Sequence, residues 1–262
     1  MEDKILVASP TYEGMSYCDE EFLDAIKDLD YPKFDILIVD NSGSVVYFNK
    51  LKKISGIKVI RDNTGEEKNI KRLISSRNKI LKYSVDNNYA HLLMLDSDVI
   101  IPKNTLIKLL RQNKDIVTGL YFNFFNSNKM IKCLPVCWKI PTQQEFDSFK
   151  KKLTFPDSVK SRNDLKRHLT KQEIESGKLQ EVFNPSAGCM LLSRNAFSQL
   201  KYGQINEEHP LQTPNDDLYF FNMAREKGFR IFCLPSIICR HLVMNKYSKD
   251  ENGNLIYNGL LQ

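Results

Sequence analysis

The chain of 262 residues has no apolar run approaching the roughly 18 to 20 residues that cross a bilayer. Its opening, Met1-Glu2-Asp3-Lys4, leads straight into an apolar stretch, with no secretion signal. A cytoplasmic protein is expected, soluble or attached peripherally to a membrane. None of the six cysteines, at 18, 133, 137, 189, 233 and 239, forms a Cys-x-x-Cys pair. Pro135 separates the nearest two, so reduced structural thiols are expected rather than a zinc site. No segment repeats at a fixed period, which argues against a solenoid. Aromatic and basic residues do not combine into any nucleic-acid module, and the net charge of +6 is modest. Such a surface suits anionic substrates better than nucleic acid.

What the chain does have is an apolar run ending in two carboxylates, His91-Leu92-Leu93-Met94-Leu95-Asp96-Ser97-Asp98. A short continuous apolar run reads as a buried strand, and a charged carboxylate ends it. On extended chain, residues two apart face the same side, so Asp96 and Asp98 converge on one ion while Ser97 faces away. Hard carboxylates without a neighbouring thiolate or imidazole suit Mg²⁺ or Mn²⁺, commonly completed by substrate phosphates. A nucleotide ligand is therefore expected. The plainer reading is that the pair caps the helix opening at Asn104.

Around this stretch the pattern alternates. Strands are expected at Lys4–Ser9, Phe34–Val39, Ile57–Ile60 and Asp115–Phe122, and helices at Asp19–Leu29, around Ile70–Leu81, and at Asn104–Gln112. This predicts an α/β domain with a mostly parallel central sheet flanked by helices, its ligands beyond the carboxyl ends of the strands. Residues 1–122 form one half. Residues 123–181 are charged and poor in apolar side chains, and read as an inserted surface lobe or lid. Within them Asn123–Lys129 reads as a loop and Ile131–Ile140 as a strand. Residues 182–244 form the second half, with a strand at Cys189–Leu192, a helix from Asp216 to Gly228 and a strand at Arg230–Leu234. Small residues at Ser186-Ala187-Gly188 let a ligand approach the backbone. Residues 245–262 read as a flexible tail.

The succession Pro10-Thr11-Tyr12, Asp40-Asn41-Ser42, Arg77-Asn78, Leu95-Asp96-Ser97-Asp98, Ala187-Gly188, Asn215-Asp216-Asp217-Leu218, Gly228-Phe229-Arg230 and His241 resembles the GT-A glycosyltransferases. The likeness is to the family-two type, related to cellulose and chitin synthases, and covers about residues 4–122 and 182–241. It implies that Pro10, Thr11, Tyr12, Glu13 and Asp40 hold base and ribose, with Asn41, Arg77 and Ser97 also on the nucleotide. Asp96 and Asp98 would mark the Asp-x-Asp motif that grips the diphosphate through Mn²⁺ or Mg²⁺, and His241 would be a further metal ligand. Asp217 matches the family's base. Asp216 replaces the usual glutamate and contacts the acceptor, and Ala187 and Gly188 lie on the acceptor side.

The chemistry is coherent with these residues. A departing diphosphate needs a cation, and an attacking hydroxyl needs a carboxylate base on the opposite face of the sugar, which gives inversion. The donor would be a UDP- or GDP-sugar, because Asp40 fits uracil and guanine equally. The acceptor would be a glycan, a lipid-linked sugar or a protein. Three alternatives compete. A phosphatase of the haloacid dehalogenase type also has Asp-x-Asp after a strand, but there the pair closes the first strand. A nucleotidyltransferase needs a glycine-rich loop where Ser9-Pro10-Thr11-Tyr12 stands, and a non-catalytic nucleotide-sugar binder would keep the scaffold alone.

Overall fold

The computed structural model describes residues 4–65, 68–127, 130–185, 187–205, 216–242, 247–249 and 255–257. Its centre is an eight-stranded sheet. In chain order the strands are β1 (Ile5–Thr11), β2 (Asp35–Asp40), β3 (Lys58–Arg61), β4 (His91–Leu95), β5 (Ile116–Leu120), β6 (Gln180–Glu181), β7 (Cys189–Ser193) and β8 (Ile231–Ile238). Across the sheet the order is β6-β8-β5-β7-β4-β1-β2-β3. β1 pairs in parallel with both β2 and β4, β2 with β3, and β8 with β5. β7 runs antiparallel between β4 and β5, and β6 antiparallel along β8. The mostly parallel sheet therefore carries two reversed strands, one of them central.

Eight helices accompany it among the described residues: α1 (Asp19–Lys27), α2 (Val45–Leu51), α3 (Asn69–Asp86), α4 (Thr105–Leu110), α5 (Gln143–Lys152), α6 (Lys171–Glu175), α7 (Arg194–Phe197) and α8 (Asp216–Glu226). Alternation along the strands divides the core in two. Ile5, Val7, Leu93 and Leu95 face one side, packed with Phe22, Leu23 and Ile26 of α1 and Leu106 and Leu109 of α4. Leu6, Ala8, Leu92 and Met94 face the other, packed with Ile80 and Leu81 of α3, Phe197 of α7 and Phe220 and Phe221 of α8. Each fully buried Leu, Ile or Phe stabilises the fold by about 1.5–3 kcal/mol, which holds strand ends rigid enough to carry a site. No helix among the described residues is long and apolar enough to cross a membrane.

Three expectations change. Phe122–Ser127 is a strand, paired antiparallel with Met130–Pro135, where a loop over Asn123–Lys129 was expected. Its aromatic residues have the β-propensity that its asparagines masked in the sequence. The charged 123–181 segment is more than a surface lobe: it supplies β6, and Cys137, Phe146 and Leu169 are buried. Its few apolar residues suffice because Cys137 and Leu169 join a core that the sheet has already built. In the expected flexible tail, Tyr247–Lys249 and Leu255–Tyr257 pair as antiparallel strands, while the rest of 245–262 lies outside the described residues.

Candidate active site

The carboxyl ends of β1, β2 and β4 open onto a cavity of about 360 Å³. Pro10 and Thr11 at the end of β1 with Tyr12 just after it, Asn41 after β2, Arg77 of α3, and Asp96, Ser97 and Asp98 after β4 all line it. The four separate sequence signals thus meet on one edge. Met15 and the first turn of α3, through Asn69, Ile70, Arg72 and Leu73, complete the wall. Sequence reading missed these. Ile70 and Leu73 look like ordinary helix-face residues, and only Arg72 carried a signal, a cation near the helix start.

The wall is tied together from beneath. Thr11 Oγ1 donates to Ser97 Oγ at 3.4 Å, both side chains being buried. Ser42 donates to Asp40 Oδ1 through its amide at 3.0 Å and its hydroxyl at 2.5 Å, and Glu13 N donates to Ser42 Oγ at 2.8 Å. Asp40 is fully buried under this turn and, like the exposed Glu13, does not line the cavity, while the exposed Tyr12 does. A Cβ on Gly14 would overlap the Tyr12 ring, so glycine is required there for the ring to lie back on the loop.

The dipeptide that breaks the apolar pattern of α3 proves central. Arg77 is 2% exposed, yet it reaches three carboxylates. Its Nη2 donates to Asp96 Oδ1 at 2.5 Å, and its Nη1 to Asp216 Oδ2 at 2.6 Å and Asp217 Oδ1 at 2.5 Å. One planar guanidinium thereby joins the end of β4 to the start of α8. Asn78 holds the next segment, exchanging hydrogen bonds with the Tyr202 backbone at 3.0 and 2.8 Å. Tyr202 in turn lies with its ring centroid 5.1 Å from the Arg77 guanidinium carbon.

The Asp-Ser-Asp stretch is not the extended chain expected, although Asp96 and Asp98 both line the cavity. Residues 96–98 form a tight turn, with Val99 N donating to Asp96 O at 3.0 Å, and a turn breaks the two-residue periodicity. Asp96 goes to Arg77. Asp98 Oδ2 lies 3.3 Å from His241 Nε2, where Arg240–His241 pairs antiparallel with Val99–Ile100. His241 Nδ1 is buried with no partner, and the ring packs 4.9 Å from Tyr121. Among the described residues no three His, Cys, Asp or Glu side chains gather as a metal cluster. A carboxylate and an imidazole side by side, next to three carboxylates that share one arginine, are nevertheless donor chemistry that fits Mn²⁺ or Mg²⁺.

Ala187 is buried, and Gly188 does more than leave room for a ligand. Its carbonyl accepts from Asp96 N at 3.0 Å, and a Cβ there would come within 2.8 Å of Val99 and 3.0 Å of Asp96 Oδ2. Gly188 therefore supports the Asp96 turn from behind. Asp216 is 4% exposed, whereas the Asp217 side chain keeps 29% of its surface open. Burial pushes the Asp217 carboxyl up to about 7; Arg77 opposes the rise, and the negative charges of Asp216 and Asp96 add to it. A carboxylate titrating there is suited to accept a proton at neutral pH. Cys18, beneath the site, is no nucleophile: burial and then Asp98 push its thiol up to about 12.

A central sheet with helices on both faces, a cavity at its carboxyl edge and a buried acidic cluster behind it define a GT-A type domain. Residues 10–201 match the model of Glycosyl transferase family 2, and the chain belongs to that family. Solved structures agree on the fold. TarS residues 1–349 of S. aureus, solved with UDP-GlcNAc, superposes at TM-score 0.51 with 16% identity over 92% of this chain. GalNAc-T7, solved with UDP, GalNAc and Mn²⁺, superposes at 0.58 with 13% identity over 92% of it. The chain spans 59% of the first structure and 44% of the second. No protein of curated description matches the chain in sequence.

Proposed function

We propose that the chain transfers a sugar from a nucleoside-diphosphate sugar to an acceptor hydroxyl, with inversion at the anomeric carbon. The observation that carries this reading is the Arg77 fork, which sets Asp217, raised to about 7, beside a cavity of nucleotide size. Asp217 takes the proton of the attacking hydroxyl. As the new C–O bond forms, the bond from the anomeric carbon to the diphosphate oxygen breaks on the opposite face. Asp216, buried on the same guanidinium, orients Arg77 and keeps negative charge near the base. This separates the two aspartates: Asp217 is the base, and Asp216 is its buried support.

Asp98 and His241 would hold Mn²⁺ or Mg²⁺, with the diphosphate supplying further oxygens. The ion, when bound, neutralises the charge that develops on the leaving phosphate. Asp96, pinned by Arg77, braces the turn that carries Asp98. The neighbours solved with UDP-GlcNAc and with UDP and Mn²⁺ support a UDP donor and a divalent ion. The acceptor is a hydroxyl of a glycan, a lipid-linked sugar or a protein. The phosphatase alternative is disfavoured because Asp96 closes the fourth strand in chain order, where that class has its pair at the end of the first.

The test is the thermal midpoint with nucleoside diphosphate, with and without Mn²⁺. Binding to the folded state at a hundredfold excess over Kd adds about 2.7 kcal/mol. A metal-dependent rise, abolished by chelation and by Asp98→Ala, is expected. An equal rise without metal, or one retained in Asp98→Ala, would remove the ion from the account.

A further inference from the structure

The position after β2 that lines the cavity is Asn41, an amide, and an amide has two faces of opposite hydrogen-bonding character. Which face meets a ligand decides what the cavity reads. The structure fixes that orientation through buried residues that contact no ligand. Asn41 Nδ2 donates to Ser76 Oγ at 3.0 Å, and Ser76 Oγ donates to Asp62 Oδ2 at 2.9 Å. Asp62 is 4% exposed and its other oxygen pairs with Lys79 Nζ at 2.7 Å. A carboxylate only accepts, so the one hydroxyl hydrogen of Ser76 is committed to Asp62. Only the lone pairs of Ser76 remain for Asn41, which must offer its NH₂. The amide oxygen is thereby left to the cavity, and no described residue donates to it.

We infer that the relay Asp62–Ser76–Asn41 sets the donor's base, by presenting a fixed acceptor that selects a ring N–H, and that the base is uracil. This rests on the reading that the cavity holds a nucleoside diphosphate. Cytosine carries an acceptor at ring position 3, which would face the Asn41 oxygen acceptor to acceptor; such a pairing leaves both desolvated groups unsatisfied. Uracil carries N–H there, flanked by two carbonyl oxygens. The polar groups that the first turn of α3 adds to the wall are donors. Arg72 has no acceptor at all, and Asn69 has its oxygen engaged by Arg72 Nη2, leaving its NH₂. Guanine matches less well, since its exocyclic amino group beside the ring N–H asks for a second acceptor. Ser76 is accordingly a positioning residue for specificity: it acts through Asn41 and touches no substrate.

Calorimetric titration of the full chain with UDP, CDP and GDP in the presence of Mn²⁺ tests this. UDP is expected to bind at least about tenfold more tightly than CDP or GDP, the scale of one unsatisfied polar contact. In Asp62→Asn the hydrogen of Ser76 is no longer committed, so Asn41 can turn its NH₂ to the cavity. The UDP-to-CDP ratio should fall to about one or invert. Ser76→Ala should collapse the ratio likewise, and Ser76→Thr, which keeps the hydroxyl, should restore it. A purely structural role for Ser76 would lower both affinities and leave the ratio alone. Equal binding of UDP and CDP to the native chain, tighter binding of GDP, or a full ratio in a folded Ser76→Ala would overturn the relay while leaving the transferase reading intact. The native comparison holds even where a buried variant fails to fold. Binding of none of the three nucleotides would overturn both.

Discussion

Two arginine-centred clusters in this molecule face opposite ways in their chemistry. At the carboxyl edge of the sheet, Arg77 is shared by Asp96, Asp216 and Asp217. In the inserted segment, Arg167 meets Glu145 and Glu173, and Lys139 joins Glu173 at 2.8 Å. Burial raises the carboxyl in both places, but the balance of charge differs. In the insert two cations serve two carboxylates, and hydrogen bonds from Arg167, Lys139 and the Thr170 amide bring Glu173 down to about 2. At the edge one arginine is divided among three carboxylates, and Asp217 ends up near 7. The ratio of cations to carboxylates, more than the presence of an arginine, separates a structural cluster from one able to move a proton.

The comparison breaks most severely at Arg77. Arg77→Ala leaves three acidic groups near a buried gap, and removing one partner of a buried ion pair costs about 3–5 kcal/mol. Denaturant titration should show a loss of that size, together with loss of activity. Arg77→Lys keeps the charge without the fork and should recover only part of it.

Asp217→Asn sharpens the contrast through pH. A folded value raised above the ordinary 3.8 means that the stability from protonated Asp217 is fully present below about 4 and is lost as pH rises through about 7. The native chain should therefore be less stable than Asp217→Asn at pH 8, by on the order of a few kcal/mol. The gap should close toward pH 4. A constant gap between the two pH values would contradict the raised value.

Arg167→Ala is the smaller counterpart. Glu173, depressed in the fold, contributes stability above about 4.5 that is lost as pH falls toward about 2. The variant should lose about 1–3 kcal/mol at neutral pH, mostly from leaving half-buried carboxylates short of a donor, and less near pH 2. Thermal midpoints of both chains across that range check it.

How legible this was in the sequence follows from the kind of signal. The β-strands before Asp40 and Asp96 announced themselves as apolar runs ended by polar residues, and the edge they share follows from strand-helix alternation. The reversed direction of β7 did not, because Cys189–Ser193 reads the same in either direction and pairing is a tertiary property. Arg77 was visible as an interruption of a helix face. Its three partners were not, since Asp216 lies 139 residues away. The turn at Asp96–Asp98 hid behind an assumption of extended chain; the resemblance put His241 on the same ion as Asp98, but their direct contact follows only from the strand pairing at Val99. Asn69 and Arg72 were missed because a helix start that lines a cavity has the same composition as one in solvent.

The central claim is that Asp217 is the base of a sugar transfer. It is tested most directly by release of nucleoside diphosphate from a UDP-linked sugar with Mn²⁺, water standing in for the acceptor, followed from pH 5 to 9. The native rate should climb through about pH 7 to a plateau. Asp217→Asn should bind the donor as before yet turn over about 10²–10⁴-fold more slowly, with that rise gone. A variant that keeps the native rate and the native pH profile would contradict the account.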